Sequence, residues 1–277
     1  MVLTTFVFAA QDGLSRHLAG QYNVLMVVMI RYWFFAAFVI AMALRSKDGL
    51  RGAAATSQPA LQIFRGLLLA LEMCVMILAF TFLGLVESHA IFASYPLLIA
   101  ALSGPILGEF VGWRRWIAIG IGFIGVLIIL QPGVSVFTPL ALIPLASAMM
   151  FALYGLLTRF AAKRDSAFTS FFWTGIVGAI AMTAVGIWFW ESMTSRDWIL
   201  MFILCVTGAV GHWLLIKTYD VAEAGAVQPF AYFQLVFASA IGIFVFGEVL
   251  QTNVIIGAAI VVAAGVFTLI RQRRLSA

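Results

Sequence analysis

Residues 59–83 read PALQIFRGLLLALEMCVMILAFTFL. The run contains two charged side chains, Arg65 and Glu72, and otherwise consists almost wholly of apolar residues. A helix needs about 20 mainly apolar residues to cross the hydrocarbon core of a bilayer, which is roughly 30 Å thick. The stretch therefore predicts a membrane-spanning helix.

Comparable windows recur along the whole chain. Its 277 residues are 64% hydrophobic and 10% charged, whereas a soluble domain is about 45 to 50% apolar and about 25% charged. The segments between the windows are too short for a soluble domain. We therefore expect an all-α integral membrane protein with ten transmembrane helices, at residues 2–18, 23–44, 59–83, 88–107, 113–131, 139–160, 167–190, 197–218, 224–246 and 252–271.

The basic residues predict how the chain is oriented. With ten spans and a cytoplasmic N-terminus, the outer loops contain one basic residue, Arg196, and the inner loops and tail contain Arg45, Lys47, Arg51, Arg114, Arg115, Arg159, Lys163, Arg164, Lys217, Arg271, Arg273 and Arg274. The positive-inside rule then places both termini in the cytoplasm of a bacterial cell, with the protein in the inner membrane. The net charge of +5 is explained by anionic lipid as partner, without nucleic acid.

The two halves of the chain repeat each other weakly. Residues 106–109 read ILGE and residues 245–248 read VFGE, and each motif is followed by a helix that ends in Gly-Val, at residues 125–126 and 265–266. Each half holds five spans, an odd number, so the second copy enters the membrane from the opposite side. We expect two inverted five-helix repeats, residues 1–134 and 135–277, an arrangement that many secondary transporters use.

This pattern resembles the EamA family of the drug/metabolite transporter superfamily. The stretches VESHAIF with Tyr-Pro at residues 86–96, and AEA with QPFAY at residues 222–232, add to the resemblance. The resemblance implies a ten-helix, five-plus-five fold whose cavity is lined mainly by spans 1, 3, 4, 6, 8 and 9. Within the family, YddG-type amino-acid exporters are the closest match, and carriers of S-adenosylmethionine are the second.

Polar residues inside the spans are the candidates for a substrate site, because a charged side chain costs roughly 2.5 to 3.5 kcal/mol at a helix centre. Adding the repeat offset of about 139 to 140 residues to Glu72 gives Gly211 or His212. Glu72 is a candidate for meeting a substrate ammonium group or carrying a proton, and His212 for a hydrogen bond to a carboxylate. The alternative is that both residues only pack.

Further candidates come from the spans that line the family's cavity. Gln11 and Asp12 lie in the first span, and the aromatic residues Tyr95, Trp213 and Tyr232 could contact a substrate. Pro96 and Pro229 remove backbone donors and are candidates for helix bends that act in gating; harmless kinks are the alternative. The sequence predicts no metal site and no cofactor.

Ion pairs are also expected within the membrane. Asp12 and Arg16 are four residues apart and can pair on one helix face, while Arg31, deep in the second span, could pair with Asp12 instead. Arg65 begins the third span and is expected to anchor it at the cytoplasmic surface. Glu248 follows a Gly that we expect to end a helix, and so does Glu109.

These observations favour a carrier over an enzyme or a channel. Neither HExxH nor GxSxG occurs in the sequence, and we find no filter loop of the kind that channels use. An apolar cavity with few charges suits a small zwitterion. We expect an exporter of neutral and aromatic amino acids that works by alternating access, with a carrier of S-adenosylmethionine or drug-like compounds as the alternative.

Overall fold

A computed structural model describes residues 1–108, 112–130, 139–221, 230 and 232–276. The side chains of residues 115, 212, 213, 215–221, 269 and 271–276 lie outside this description. Within the described ranges the regular structure is helical and contains no strand. An all-α membrane fold was predicted, and it is confirmed.

The described helices follow the apolar windows closely. Four of them are long and apolar enough to cross a membrane, and several others are shorter apolar helices, which is compatible with ten spans. In chain order the helices are α1 Val2–Ala19, α2 Val24–Arg45, α3 Gly49–Ala54, α4 Pro59–Phe92, α5 Tyr95–Leu107, α6 Trp113–Leu130, α7 Leu142–Ala161, α8 Ala167–Gly186, α9 Ser195–Val221, α10 Phe233–Phe246 and α11 Thr252–Ser276.

Helix α4 holds more than one predicted span. Its path is broken at Gly84, where φ is 84° and ψ is 175°, a conformation that essentially only glycine adopts. The predicted spans 59–83 and 88–107 are thus separated at Gly84, and the backbone N–H groups of Leu85 and Val86, just after the break, donate to the Glu248 carboxylate. The second of these spans is itself divided at Ala93, since α5 begins at Tyr95 with Pro96 in its first turn.

The short helix α3 was not predicted, because six residues are too few for a periodic pattern. Two predicted helix ends are observed: Gly108 closes α5 with φ of 75°, and Gly247 closes α10 with φ of 67°. Both are left-handed caps of the kind glycine favours. Glu109 and Pro229 lie outside the described residues.

Helices of the two halves pack in pairs. Helix α1 packs on α9 and α10, and α7, the first helix of the second half, packs on α4 and α5. The last helices of each half, α6 and α11, pack against each other, and a Cβ at Gly125 would lie 2.7 Å from the carbonyl oxygen of Gly257. Small residues of this kind let two helix backbones approach closely. Residues of both halves therefore take part in each of these helix contacts.

Large apolar side chains cover the outside of the bundle. Phe244 and Trp188 are 86% and 83% exposed, which would be unfavourable in water but is neutral against lipid chains. Polar residues lie inside instead, and Gln11, Arg65, Glu72 and His89 are all buried. Cys74 and Cys205 are buried free thiols in the same interior.

Candidate functional site

A polar group lies at the meeting point of α1, α4 and α10. The Asp12 carboxylate accepts a hydrogen bond of 3.0 Å from the Gln234 side-chain amide. His89 Nε2 lies 3.2 Å from the same Asp12 oxygen, and the imidazole is 4% exposed. The His89 ring also stacks on Phe80, with centroids 5.2 Å apart. Asp12 thus connects both halves of the chain through neutral and titratable partners.

Aromatic side chains form one wall beside this group. The ring centroids of Phe92 and Tyr95 are 5.2 Å apart, and both rings contact Phe151 of α7, at 5.4 and 5.0 Å. Tyr154 continues the wall 6.3 Å beyond Phe151. Aromatic faces at such spacings favour offset or edge contacts with a further planar ring.

The wall and the polar group border a small cavity. Its volume is about 20 Å³, and it is lined by His89, Phe92, Ala93, Tyr95, Pro96, Tyr232, Gln234 and Leu235. Such a cavity holds about one water molecule. The described residues thus leave no room for a whole metabolite in this cavity.

Glu72 lies on α4 and is buried from solvent. Its carboxylate accepts a hydrogen bond of 2.7 Å from the Ser147 hydroxyl on α7. This contact again joins the third span of the first half to the first span of the second. Gln11 is also buried, and its side-chain oxygen has no hydrogen-bond partner within the described part of the chain.

Arg31 approaches the same region from α2. Its Nη1 donates to the Ser15 hydroxyl at 3.1 Å, and Ser15 in turn donates to the Gln11 carbonyl at 2.8 Å. The guanidinium lines a second cavity of about 50 Å³, whose other walls are mainly apolar side chains of α2, α4, α8 and α9.

A polar network, called the outer closure below, lies toward the predicted outer end of α1. Arg16 forms an ion pair with Glu248, whose carboxylate also accepts hydrogen bonds of 2.8 Å from the backbone N–H groups of Leu85 and Val86. These two N–H groups are left without helical partners by the break at Gly84. A carboxylate there is favourable because a helix N-terminus carries partial positive charge.

A second polar network closes the predicted inner face. Arg65 donates to Thr158 at 3.0 and 2.7 Å and to Gln62, and Gln62 donates to Asp165 at 2.7 Å. Burial acts to raise the pKa of Asp165, but hydrogen bonds from Thr56, Gln62 and the Ser57 backbone outweigh it and lower the pKa below its ordinary value.

Several expected contacts are corrected by the structure. Arg16 pairs with Glu248 and not with Asp12, because α1 turns that face toward the end of α10. Arg31 forms its described hydrogen bond with Ser15, while the Asp12 carboxylate is directed to His89 and Gln234. Arg65 is 1% exposed and bonded internally, so it is not a surface anchor.

The predicted site residues are brought together in part. Tyr95, Pro96 and Tyr232 line the small cavity, and Asp12 bonds to Gln234 in its wall, with Gln11 next to Asp12 on α1. Glu72 is bonded on its own to Ser147. The side chains of His212 and Trp213 lie outside the described residues. Sequence reasoning missed His89, which stood inside a quoted motif, and Ser147 and Phe151, which have no local signal.

Comparison with known proteins gives a consistent result. The EamA-like transporter family matches residues 1–131 and again residues 138–270. The S-adenosylmethionine uptake transporter of Rickettsia prowazekii is 25% identical over 274 residues, which cover 99% of this chain and 92% of the relative. The riboflavin transporter of Vibrio cholerae is 26% identical, with 96% of this chain and 90% of the relative covered.

A further relative and a solved structure extend the similarity. The riboflavin transporter of Brucella anthropi is 27% identical over 98% of this chain and 97% of its own length. A crystal structure with 15% identity aligns over 100% of this chain and 98% of the other, with a TM-score of 0.65. That similarity concerns the fold.

Proposed function

We propose, because the chain belongs to the EamA-like transporter family, that it carries a small metabolite with a planar heteroaromatic ring across the bacterial inner membrane. Since the Rickettsia relative is named as an uptake transporter, we propose import as the direction. Independently of the direction of transport, the basic residues predict that both termini lie in the cytoplasm.

The aromatic wall beside Asp12 carries this proposal. Phe92 and Tyr95 line the same cavity as His89 and Gln234, and Phe151 packs against both rings. A ring bound there would have beside it a polar group that can bind the edge of a heterocycle. The relatives are named for S-adenosylmethionine and riboflavin, which share a fused nitrogen heterocycle attached to a hydroxylated chain or sugar. Stacking on an aromatic side chain contributes about 1 to 3 kcal/mol per base in nucleic-acid complexes, and a similar gain is expected here.

The amino-acid export expected from the sequence is not supported by these relatives. A zwitterionic amino acid is smaller and needs fewer ring contacts than the wall offers. The alternative hypothesis, a carrier for S-adenosylmethionine or similar compounds, fits the aromatic wall better, and we propose it in place of amino-acid export.

We propose alternating access as the mechanism, because polar networks lie at both ends of the interior. The outer closure at Arg16 and Glu248 and the inner network at Arg65 and Asp165 lie at opposite ends of the interior. We propose that residues 1–134 and 135–277 form inverted repeats whose relative motion opens one end while the other stays closed. Pro96, beside the division of the fourth span, would act as a bend in this motion.

The test is counterflow in proteoliposomes. Purified protein is reconstituted, loaded with unlabelled S-adenosylmethionine or riboflavin, and diluted into the labelled compound; a carrier gives saturable uptake that preloading accelerates. Phe151→Ala removes the centre of the wall and should raise KM several-fold, while Phe244→Ala, on the lipid-exposed surface, should not.

Two results would count against the proposal. Uptake that rises linearly with concentration and ignores preloading indicates a channel or leak. Saturable uptake of leucine or phenylalanine, with neither heterocycle competing, would favour an amino-acid carrier instead.

A further inference from the structure

A cation lies in the interior beside the second cavity. Arg31 is the eighth residue of α2, which begins at Val24, so it lies roughly 10 Å along the helix at 1.5 Å per residue. That depth is too great for its guanidinium to reach the predicted outer surface easily. A charge held there costs several kcal/mol unless an anion offsets it.

No carboxylate among the described residues pairs with Arg31. Asp12 and Glu72 act on the Arg31 charge from a distance without forming a salt bridge with it. The described partners of Asp12 are His89 and Gln234, and that of Glu72 is Ser147. The hydrogen bond that the Arg31 guanidinium donates within the described part of the chain goes to a neutral hydroxyl, that of Ser15. Among the described residues Ser15 is the one acceptor for its five N–H donors, so a bound carboxylate would find donors that these residues do not engage.

The surroundings of Arg31 select for a particular ligand. Its cavity is lined by Phe35, Met73 and Phe171, together with apolar residues of α9. A planar guanidinium surrounded by apolar walls binds a carboxylate through two parallel hydrogen bonds more specifically than a spherical ion. The present volume of about 50 Å³ has room for such a group and little else.

The second cavity lies close to the first. Asp12, beside the aromatic wall, and Ser15, which contacts Arg31, are three residues apart on α1. Residues at this spacing lie on one helix face, about 5 to 6 Å apart. A substrate that places its ring against the wall and its carboxylate on Arg31 would therefore approach α1 on this one face.

We propose that Arg31 binds a carboxylate of the transported molecule, so that the substrates are ring-bearing metabolites that also carry a carboxylate. This rests on the proposed function and narrows it. S-adenosylmethionine satisfies both conditions, whereas riboflavin has a ring but no carboxylate.

The experiment compares ligands that differ only in this group. Competition for labelled S-adenosylmethionine in counterflow is measured with unlabelled S-adenosylmethionine and with its decarboxylated analogue, in the wild type and in Arg31→Gln, Arg31→Lys and Arg196→Gln. Arg196 is an exposed cation in the predicted outer loop region, so its variant changes the net charge equally.

We expect the wild type and Arg196→Gln to prefer the carboxylate by tenfold or more. Arg31→Gln should lose that preference. Arg31→Lys should retain part of it, because the lysine ammonium keeps the positive charge but cannot form two parallel hydrogen bonds as the guanidinium does. Equal competition by the two ligands in the wild type overturns the proposal without using any variant that could fail to fold.

Other outcomes separate this proposal from the one on which it rests. Transport of riboflavin without S-adenosylmethionine keeps the heteroaromatic carrier and removes the role of Arg31. Saturable uptake of labelled phenylalanine that excess phenylalanine inhibits and phenethylamine does not, with no heterocycle transported, keeps the carboxylate site and removes the heteroaromatic carrier.

Discussion

Arg16 of α1 forms an ion pair with Glu248, which lies 232 residues later and directly follows the glycine that ends α10. The guanidinium also lies 4.1 Å from the centroid of Phe246. Because Glu248 accepts hydrogen bonds from Leu85 and Val86 as well, a single carboxylate joins three separate parts of the chain. We infer that this closure must break whenever the site opens to the predicted outer face.

Replacing Glu248→Gln should therefore weaken the closed arrangement. Hydrogen bonds to charged groups contribute about 1.5 to 3 kcal/mol each, so a loss of about 1 to 3 kcal/mol of unfolding free energy is expected. In a background without Cys74 and Cys205, a cysteine at Ser88, which is buried one turn past the break, should react faster with an impermeant maleimide added outside.

The matched control is Glu191→Gln, in the exposed segment before α9. It should change neither stability nor the labelling rate at position 88. Unchanged labelling in Glu248→Gln would show that the ion pair does not hold this face closed.

Gly84→Ala should be more disruptive than an ordinary glycine substitution. The backbone at Gly84 has φ of 84°, and a Cβ would lie 2.6 Å from a Glu248 carboxylate oxygen. Backbone strain of this kind costs about 1 to 3 kcal/mol, to which the displaced carboxylate adds. We expect a clear drop in the midpoint temperature of unfolding in detergent.

Gly108→Ala provides the comparison. Gly108 also has positive φ, 75°, but nothing lies within 4 Å of its Cβ position. Its variant should therefore lose about 1 to 2 kcal/mol. Equal losses at the two positions would mean that the contact with Glu248 contributes nothing.

Substitutions in the buried pair of Glu72 and Ser147 should affect stability and transport differently. Ser147→Ala leaves the Glu72 carboxyl without its described donor and should cost about 1 to 3 kcal/mol of stability. Glu72→Gln keeps a group that can accept from Ser147 and should remain folded, yet lose transport if the acid meets a substrate ammonium or carries a proton. Wild-type transport in Glu72→Gln, with unchanged dependence on pH, would assign Glu72 a packing role only.

Much of the fold could be predicted because it follows from local composition. Apolar runs determine which segments cross the membrane, and single residues determine several ends: Asn23 caps α2 through a hydrogen bond of 2.9 Å from the Leu25 N–H, and Gly247 ends α10. The break near residue 84 was expected from the gap between two windows. The long-range pairing of helices was expected only in outline, through the repeat.

The partners inside the bundle could not be predicted in the same way. Spacing along α1 favours Asp12 for Arg16, but the rotation of α1 against α10 decides the pair and selects Glu248. Likewise, nothing near Glu72 in the sequence points to Ser147, 75 residues away. Such contacts depend on helix packing, which short-range patterns do not contain.

Asp12 and His89 should be energetically coupled. Their 3.2 Å separation within a buried site predicts an interaction energy of about 0.5 to 3 kcal/mol in a double-mutant cycle. The cycle uses Asp12→Asn, His89→Gln and the double variant, with unfolding followed in mixed micelles. Lys47 lies on an exposed turn, so a second cycle between Asp12 and Lys47 serves as the control, and no coupling is expected there. Additive effects of the Asp12 and His89 substitutions would mean that the two residues act independently.

Asp165 provides the last prediction, a dependence of stability on pH. Its side chain lies between α7 and α8 and accepts hydrogen bonds of 2.5 Å from Thr56 and 2.7 Å from Gln62. Burial raises the pKa of this carboxyl, but these bonds and one from the Ser57 backbone outweigh it, so the folded pKa lies below the ordinary value of 3.8.

A group with a lowered folded pKa stabilises the protein fully above its unfolded pKa, and that contribution is lost as the pH falls through the folded pKa. Asp165→Asn should therefore lower the midpoint temperature by the same amount from pH 8 to pH 5, and the difference from wild type should shrink below about pH 4. The exposed Asp48→Asn should show little difference at any pH. A difference between wild type and Asp165→Asn that persists unchanged at the lowest pH would mean that the ionised carboxylate is not what holds the Thr56 segment against α7.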